Sequence, residues 1–208
     1  MNAPLATPGQ VLDFVRAVEA LDDRALPADP AVAAEIARVW SRLRAIAVPA
    51  AGLPRSDHPI VGHLAAALGA AAGPAVEVTT ALGAVAEHLP WRYGYPRRAD
   101  APDLGERIAF AEIIGPEAPF RSEVVCLGVT LIAPRTLYPD HHHPAIELYR
   151  VLTGSATWSA AGRSRRVPPG ELVLHPSGVV HAMRTEDEPL LAVYTWSGDD
   201  VRTTSVYA

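Results

Sequence analysis

The second half of the chain is a series of short segments with β-strand character. Each segment has alternating or β-branched apolar residues and is bounded by a turn signal built from glycine, proline or acidic residues. The predicted strands cover residues 107–114, 121–133, 146–152, 155–159, 163–167, 171–174, 179–184, 190–196 and 202–207. Many short strands at near-regular spacing are typical of an all-β sandwich or barrel. We therefore expect a mainly β domain over residues 91–208.

The first ninety residues have a helical periodicity instead. Thr7-Pro8 and Asp29-Pro30 have the residue types of helix starts, and apolar residues follow each pair at helical spacing. Further helical segments are expected after Ser56-Asp57 and from Pro74. Three or four short amphipathic helices result. We predict that residues 1–90 form a helical extension packed on the outside of the β domain.

Charge and composition exclude several classes of function. The net charge is −5, from 18 basic and 23 acidic residues, and no long basic run is present, so nucleic-acid binding is not expected. The Ala-rich segment 64–75 is interrupted by glycine and proline and is too short to span a membrane. Residues 1–5 lack the basic and apolar regions of an export signal, and the single cysteine, Cys126, cannot form an internal disulfide. These features favour a cytoplasmic protein without membrane or nucleic-acid partners, either monomeric or homodimeric.

Residues 138–154 concentrate the side chains that can bind a metal ion. The segment reads Tyr-Pro-Asp-His-His-His-Pro-Ala-Ile-Glu-Leu-Tyr-Arg-Val-Leu-Thr-Gly. If it is extended, His141 and His143 share one face and His142 lies on the other, because side chains alternate along a strand. Glu147 and Tyr149 share a face in the same way. Two imidazoles, a carboxylate and a phenol directed into one cavity suit a divalent metal ion. The alternative for this segment is a solvated, histidine-rich loop.

A second pattern downstream completes a pair of motifs. The two motifs are His141-x-His143-x3-Glu147-x6-Gly154 and Gly170-x5-Pro176-x-Gly178-x2-His181. Together they closely resemble the two motifs of the cupin superfamily, which implies a double-stranded β-helix (a jelly-roll barrel) with a metal ion held inside by both motifs. The chain departs from the pattern at two positions that are not ligands. Arg135 stands where the first motif usually opens with glycine, and Thr185 stands where the second usually closes with asparagine.

The finer pattern resembles one branch of that superfamily, the cupin-type dimethylsulfoniopropionate (DMSP) lyases. The residues that carry this resemblance are Tyr138, His141, His142, His143, Pro144, Ala145, Glu147, Tyr149, His181 and Trp196. DMSP lyases of this type also carry a helical N-terminal part of similar size. The resemblance implies that one divalent transition metal ion (Zn, Fe, Mn, Co or Ni) is held by His143, Glu147, Tyr149 and His181. His141 would be a near-site histidine or an alternative ligand, so the choice between His141 and Tyr149 as fourth ligand stays open.

The same resemblance implies a small-molecule substrate and a β-elimination. A base would remove the proton next to the DMSP carboxylate, and dimethyl sulfide would leave, giving acrylate. A phenol beside a divalent ion is held closer to its phenolate form, so Tyr149 is the expected base, with Tyr138 or His141 in reserve. Tyr138, His141 and Trp196 would contact the substrate, since aromatic faces attract a cation such as the sulfonium.

Two other functions are compatible with a cupin metal site. The first is an Fe(II) or Mn(II) oxygenase or isomerase, for which histidine and carboxylate ligands are also suited. Tyr149 argues against it, because a phenol would fill a position that dioxygen needs. The second is a non-catalytic cupin that binds a small molecule. His175, together with His58, His63 and His88, is expected to be a non-ligand, and Trp158 and Trp40 are expected to be packing residues.

Overall fold

The computed structural model describes residues 5–24, 27–46 and 51–208. Residues 1–4, on which most of the expectation of no export signal rests, lie outside these ranges. Over the described ranges, no helix combines the length and the apolar character that crossing a membrane requires.

The N-terminal helices begin where the sequence predicts. The α-helices are α1 (Pro8–Arg24), α2 (Pro30–Leu43), α3 (Leu64–Gly69), α4 (Ala75–Gly83) and α5 (Leu104–Arg107), and two 3-10 helices cover Pro59–His63 and Ala86–His88. Asp29 caps α2: its carboxylate accepts a hydrogen bond of 2.8 Å from the N–H of Ala31, which satisfies a donor that the first helical turn leaves free. The segment after Ser56-Asp57 is a 3-10 helix that continues into α3.

The strands fill the rest of the chain. They are β1 (Trp91–Arg92), β2 (Ile108–Gly115), β3 (Phe120–Arg121), β4 (Cys126–Ile132), β5 (Leu137–His142), β6 (Ile146–Thr153), β7 (Ala156–Ala160), β8 (Arg163–Val167), β9 (Leu172–His175), β10 (His181–Thr185), β11 (Leu190–Ser197) and β12 (Val206–Tyr207). In a seven-stranded sheet the order is β1-β2-β4-β11-β6-β9, with β3 paired to β2. In a five-stranded sheet it is β12-β5-β10-β7-β8. The predicted mainly β jelly-roll barrel with N-terminal helices is confirmed.

Two of the predicted strands are wrong for physical reasons. The strand expected over residues 121–133 is divided into β3 and β4, because the Ser122 hydroxyl accepts hydrogen bonds from the backbone N–H groups of Val124 and Val125. The strand expected over residues 202–207 is only β12, because the Asp200 carboxylate accepts hydrogen bonds of 2.8 and 2.9 Å from the backbone N–H groups of Arg202 and Thr203. An Asx turn of this kind competes with strand pairing. In addition, β5 was expected only conditionally. Its sequence is charged and contains proline, so local propensity does not indicate a strand, and the strand forms because it pairs with β10.

The seven-stranded sheet separates a helix-covered face from the barrel interior. On β6, Leu148 and Leu152 pack in the core shared with the helices, whereas Tyr149 and Val151 pack in the core between the sheets. This alternation follows from the two-residue period of a strand. The register of β6 therefore directs Tyr149 into the barrel while its neighbours hold the helical layer.

A buried polar group joins the helices to the outer face of β6. The Arg150 Nε donates to Oδ1 of Asp22 on α1 at 2.6 Å, and the Trp40 indole on α2 donates to the other oxygen of that carboxylate at 2.8 Å. A second link runs from Ser197 on β11 to Glu35 on α2. Because β6 also carries candidate site residues, these contacts fix the outer side of the strand that forms the site.

Candidate metal centre and active-site cavity

Three strands bring the predicted metal ligands together. His181 begins β10 and lies opposite His141 on β5, and His143 follows β5 directly. Glu147 on β6 lies between Trp196 on β11 and His175 on β9. The two sequence motifs therefore meet inside the barrel through strand pairing.

His143, Glu147 and His181 form a compact, buried cluster. Their potential ligand atoms all lie within 4.8 Å of one another. Oε2 of Glu147 is 3.0 Å from Nε2 of His143 and 3.1 Å from Nε2 of His181. Each of the three residues is at most 3% exposed, so bulk water does not screen their charges.

The hydrogen bonds behind the cluster set the histidine tautomers. Nδ1 of His143 lies 3.1 Å from the carbonyl oxygen of Ala145, and Nδ1 of His181 lies 2.9 Å from that of Val179. A carbonyl only accepts, so each Nδ1 carries the proton and each Nε2 presents its lone pair. Among the described residues, Nε2 of His181 has no hydrogen-bond partner although it is buried. Two lone pairs directed at one carboxylate oxygen repel unless a cation lies between them, so these residues fit a divalent metal ion.

The charges of the cluster favour a carboxylate that is ready to bind a cation. Burial alone would raise the pKa of Glu147, but the imidazoles of His143 and His181, whose Nε2 atoms lie 3.0 and 3.1 Å from its Oε2, hold that pKa well below its usual range. Burial alone would lower the pKa of His143, but the adjacent Glu147 carboxylate raises it above its usual value, so the Nε2 lone pair readily binds a cation. Burial lowers the pKa of His141 to about 3, so that imidazole is neutral. Burial and then the charge of Glu147 raise the pKa of Tyr149 well above its usual value.

His141 lies beside the three-residue cluster without belonging to it. Its ring stacks on the Tyr138 ring at 3.8 Å between centroids and lies 4.0 Å from the His181 ring. Its Nδ1 lies 2.7 Å from the carbonyl oxygen of Pro139, so its Nε2 also presents a lone pair. His142, expected on the opposite face, is half-buried.

Trp196 contacts the metal cluster directly. Its indole N–H donates to Oε1 of Glu147 at 2.7 Å, which leaves Oε2 for the histidines. Its ring also stacks on His143 at 4.3 Å between centroids. The indole therefore contacts two of the three clustered residues.

A cavity of about 310 Å³ opens onto this cluster. Its aromatic wall is formed by Tyr95, Phe110, Tyr138, Tyr149, Tyr194 and Trp196. Its metal-binding side is formed by His141, His143 and Glu147, and charged residues at other parts of the lining are Arg92, Glu112, Glu117 and Arg202. A small ligand with a carboxylate and a cationic end would meet both kinds of surface.

The comparison with known proteins identifies the family. The family model for dimethylsulfoniopropionate lyase matches residues 31–192. The chain is 36% identical over 155 residues to DMSP lyase DddQ of Ruegeria pomeroyi, covering 74% of this chain and 72% of that protein. The chain belongs to the DMSP lyase family.

Two further comparisons agree with this assignment. The chain is 36% identical over 151 residues to the putative DMSP lyase DddL of Cereibacter sphaeroides, covering 72% of this chain and 63% of that relative, so the match spans less than two thirds of the relative's length. The crystal structure of DddQ from Ruegeria pomeroyi superposes with a TM-score of 0.78 at 28% identity, over 97% of each chain. The cupin fold and the family resemblance predicted from the motifs are both confirmed.

In this member of the DMSP lyase family, sequence reasoning missed the position of His175 beside the cluster and the contact between Tyr95 and Tyr138. His175 is 1% exposed and stacks on His181 at 4.0 Å between centroids, and its Nε2 accepts from the Trp158 indole at 3.1 Å. Tyr95 shares a hydrogen bond with the Tyr138 hydroxyl. His175 stands one residue beyond a predicted strand, so extending that strand by one residue would have paired it with Glu147.

Proposed function

We propose that this protein is a metal-dependent lyase that cleaves DMSP to dimethyl sulfide and acrylate. The observation that carries the proposal is the buried cluster of His143, Glu147 and His181 beside an aromatic cavity of about 310 Å³. Membership of the DMSP lyase family supports the choice of substrate. We also propose that the protein is cytoplasmic, with residues 1–90 as a helical extension of the 91–208 barrel.

The residues proposed to hold the metal are His143, Glu147 and His181, with Tyr149 or His141 as the fourth ligand. A divalent cation there would supply positive charge for the substrate carboxylate and for the phenol of Tyr149. Imidazole nitrogen and carboxylate oxygen are compatible with Zn, Fe, Mn, Co and Ni, so availability would decide the occupant.

Tyr149 is the proposed base. It follows Glu147 by two residues on the same strand face, and it lines the cavity. Its phenolate oxygen accepts the proton from the carbon next to the substrate carboxylate. The C–H electron pair becomes the carbon–carbon double bond, and the carbon–sulfur bond breaks with its pair left on sulfur. Dimethyl sulfide and acrylate leave, and the proton on Tyr149 returns to solvent.

Tyr138, Trp196 and His141 are the proposed substrate-binding residues. A sulfonium cannot form a conventional hydrogen bond, but aromatic faces attract it by roughly 0.5–2 kcal/mol each. Tyr138 and Trp196 both line the cavity, on the β5 and β11 sides of the metal cluster. The Tyr138–His141 stack supports one rigid wall of the cavity.

The test is direct measurement of both products. Metal-loaded protein is incubated with DMSP, and dimethyl sulfide in the headspace and acrylate in solution are quantified with and without a strong chelator. We expect equal amounts of both products and their loss on chelation. An absence of dimethyl sulfide release from protein that contains metal would rule out the proposal. Oxygen consumption without dimethyl sulfide release would favour an oxygenase.

A further inference from the structure

Glu112 lines the cavity but takes no part in the metal cluster or in the proposed elimination. On β2, Ile108 and Phe110 pack in the core between the sheets, whereas Ala109 and Ala111 pack in the core shared with the helices. The two-residue period places Glu112 on the same inner face as Ile108 and Phe110. Glu112 accordingly lines the cavity.

Strand pairing puts Glu112 in one row with the proposed base. Glu112 on β2 pairs with Gly128 on β4, Gly128 pairs with Tyr194 on β11, and Tyr194 pairs with Tyr149 on β6. Three strand spacings separate the ends of the row, about 14 Å between backbone positions. The side chains of Glu112 and Tyr149 extend into the same cavity.

Gly128 lets an aromatic ring form the floor between the two ends. A Cβ at Gly128 would lie 2.5 Å from Cε1 of Tyr194 and 2.6 Å from the backbone oxygen of Ala111. The ring of Tyr194 therefore lies across the glycine, toward Glu112. The floor from Tyr149 to Glu112 is consequently apolar and aromatic, with one carboxylate at its far end.

The Glu112 carboxylate is only partly neutralised by its neighbours, and its side chain is 16% exposed. Its Oε1 packs against Gly115 beside Cys126 and, within the described ranges, has no hydrogen-bond partner. Its Oε2 lies 3.5 Å from Nη2 of Arg92, at the limit of a hydrogen bond, and the Arg92 side chain is 54% exposed. Burial raises the pKa of Glu112 above its usual value, and the charge of Arg92 and the backbone of Glu117 offset this only in part. A cation in the cavity would place a second opposite charge beside this carboxylate, which Arg92 neutralises only in part.

We propose that Glu112 is the counter-charge for the cationic sulfonium end of the substrate, an inference that rests on the proposed function. DMSP has its carboxylate and its sulfur three bonds apart, roughly 4 Å. With the carboxylate at the metal cluster, the sulfonium lies over the Tyr194 floor and faces Glu112. Glu112 then selects acids with a cationic end over uncharged acids of the same shape.

Binding of two non-reacting probes tests this. The first is 3-(trimethylammonio)propanoate, which has a cationic end, and the second is 4,4-dimethylpentanoate, which has the same shape and an uncharged end. Both are titrated calorimetrically into metal-loaded wild type and Glu112→Gln. We expect the wild type to prefer the cationic probe, and Glu112→Gln to bind that probe about tenfold more weakly with little change for 4,4-dimethylpentanoate. Equal losses for both probes, or no loss, would overturn the inference.

Three further variants separate charge recognition from a structural role. Glu112→Asp keeps the charge and should retain most of the preference, which also covers the case in which Glu112→Gln fails to fold. Arg92→Gln removes a competing cation and should strengthen binding of the cationic probe. If Arg92→Gln instead weakens it as Glu112→Gln does, Glu112 only anchors Arg92, and the inference is wrong. Glu77→Gln on α4 makes the same change of net charge on the surface and should alter neither probe's affinity.

The readout also separates this inference from the proposed function, because probe binding needs no turnover. If the wild type releases dimethyl sulfide but Glu112→Gln keeps its preference for the cationic probe, only the inference about Glu112 is overturned. If the preference for the cationic probe depends on Glu112 but the protein releases no dimethyl sulfide, the inference is supported and the proposed function is overturned.

Discussion

The indole N–H of Trp196 donates a 2.7 Å hydrogen bond to Oε1 of Glu147, and this bond orients the carboxylate of the candidate metal centre. Oε2 of the same carboxylate is left facing His143 and His181. Removing a group that orients a metal ligand typically lowers metal affinity by about tenfold to a hundredfold.

Replacing Trp196 with Phe should therefore weaken metal binding. The ring that stacks on His143 is largely kept, but the hydrogen bond to Glu147 is lost. We expect the metal affinity to fall by roughly tenfold to a hundredfold, measured by competition with a chromogenic chelator. Trp91→Phe is the matched control, because the Trp91 indole donates to the carbonyl oxygen of Ala86 instead. Equal affinities for Trp196→Phe and wild type would show that the indole does not orient the ligand.

The hydroxyls of Tyr95 and Tyr138 should be energetically coupled. They share a hydrogen bond in the cavity wall, and Tyr138 is 2% exposed, so removing either hydroxyl leaves a poorly solvated partner. We expect Tyr95→Phe and Tyr138→Phe each to lower the free energy of unfolding by about 1–2 kcal/mol. The double variant should lose less unfolding free energy than the sum of the losses of the two single variants, because neither hydroxyl remains without its partner. Urea denaturation of the four proteins measures this, and strict additivity would contradict the coupling.

Breaking the ion pair between Asp22 and Arg150 should be costly. Both side chains are buried between the helices and the barrel, so Asp22→Ala leaves the Arg150 charge without its partner. We expect the free energy of unfolding to fall by about 3–5 kcal/mol, measured by chemical denaturation. The exposed pair of Arg24 with Glu77 provides the comparison, and Glu77→Ala should cost less than about 1 kcal/mol. Similar losses for the two variants would mean that the buried pair is not a specific link between the layers.

Local patterns in the sequence predicted the helices and a mainly β domain, and the resemblance to the cupin motifs added the barrel and most of the metal cluster. Strand alternation placed Tyr149 on the same face as Glu147, which is a local property, whereas His143, Glu147 and His181 were grouped by their resemblance to the two cupin motifs. The helix starts at Pro8 and Pro30 likewise depend on neighbouring residues. These features could be predicted because each is determined within a few positions.

The parts that were missed depend on pairing between distant strands. The position of Glu112 relative to Tyr149 depends on the register of four strands, which no single segment encodes. Tyr95 reaches Tyr138 from a loop 43 residues earlier in the chain. The strand β5 has a sequence that local propensity disfavours, and its pairing with β10 overrides that preference.

The central claim is that Tyr149 removes the substrate proton at a metal centre, and one comparison tests it most directly. Dimethyl sulfide release from DMSP is measured for wild type and Tyr149→Phe at saturating metal, with the metal content of both proteins determined. Phe keeps the ring that packs edge-on against Trp158 and removes only the hydroxyl. Tyr93→Phe, which removes a hydroxyl outside the cavity lining, is the control. We predict that kcat falls by about 10²–10⁴-fold in Tyr149→Phe and stays near wild type in Tyr93→Phe. A metal-loaded Tyr149→Phe that releases dimethyl sulfide at the wild-type rate would contradict the claim.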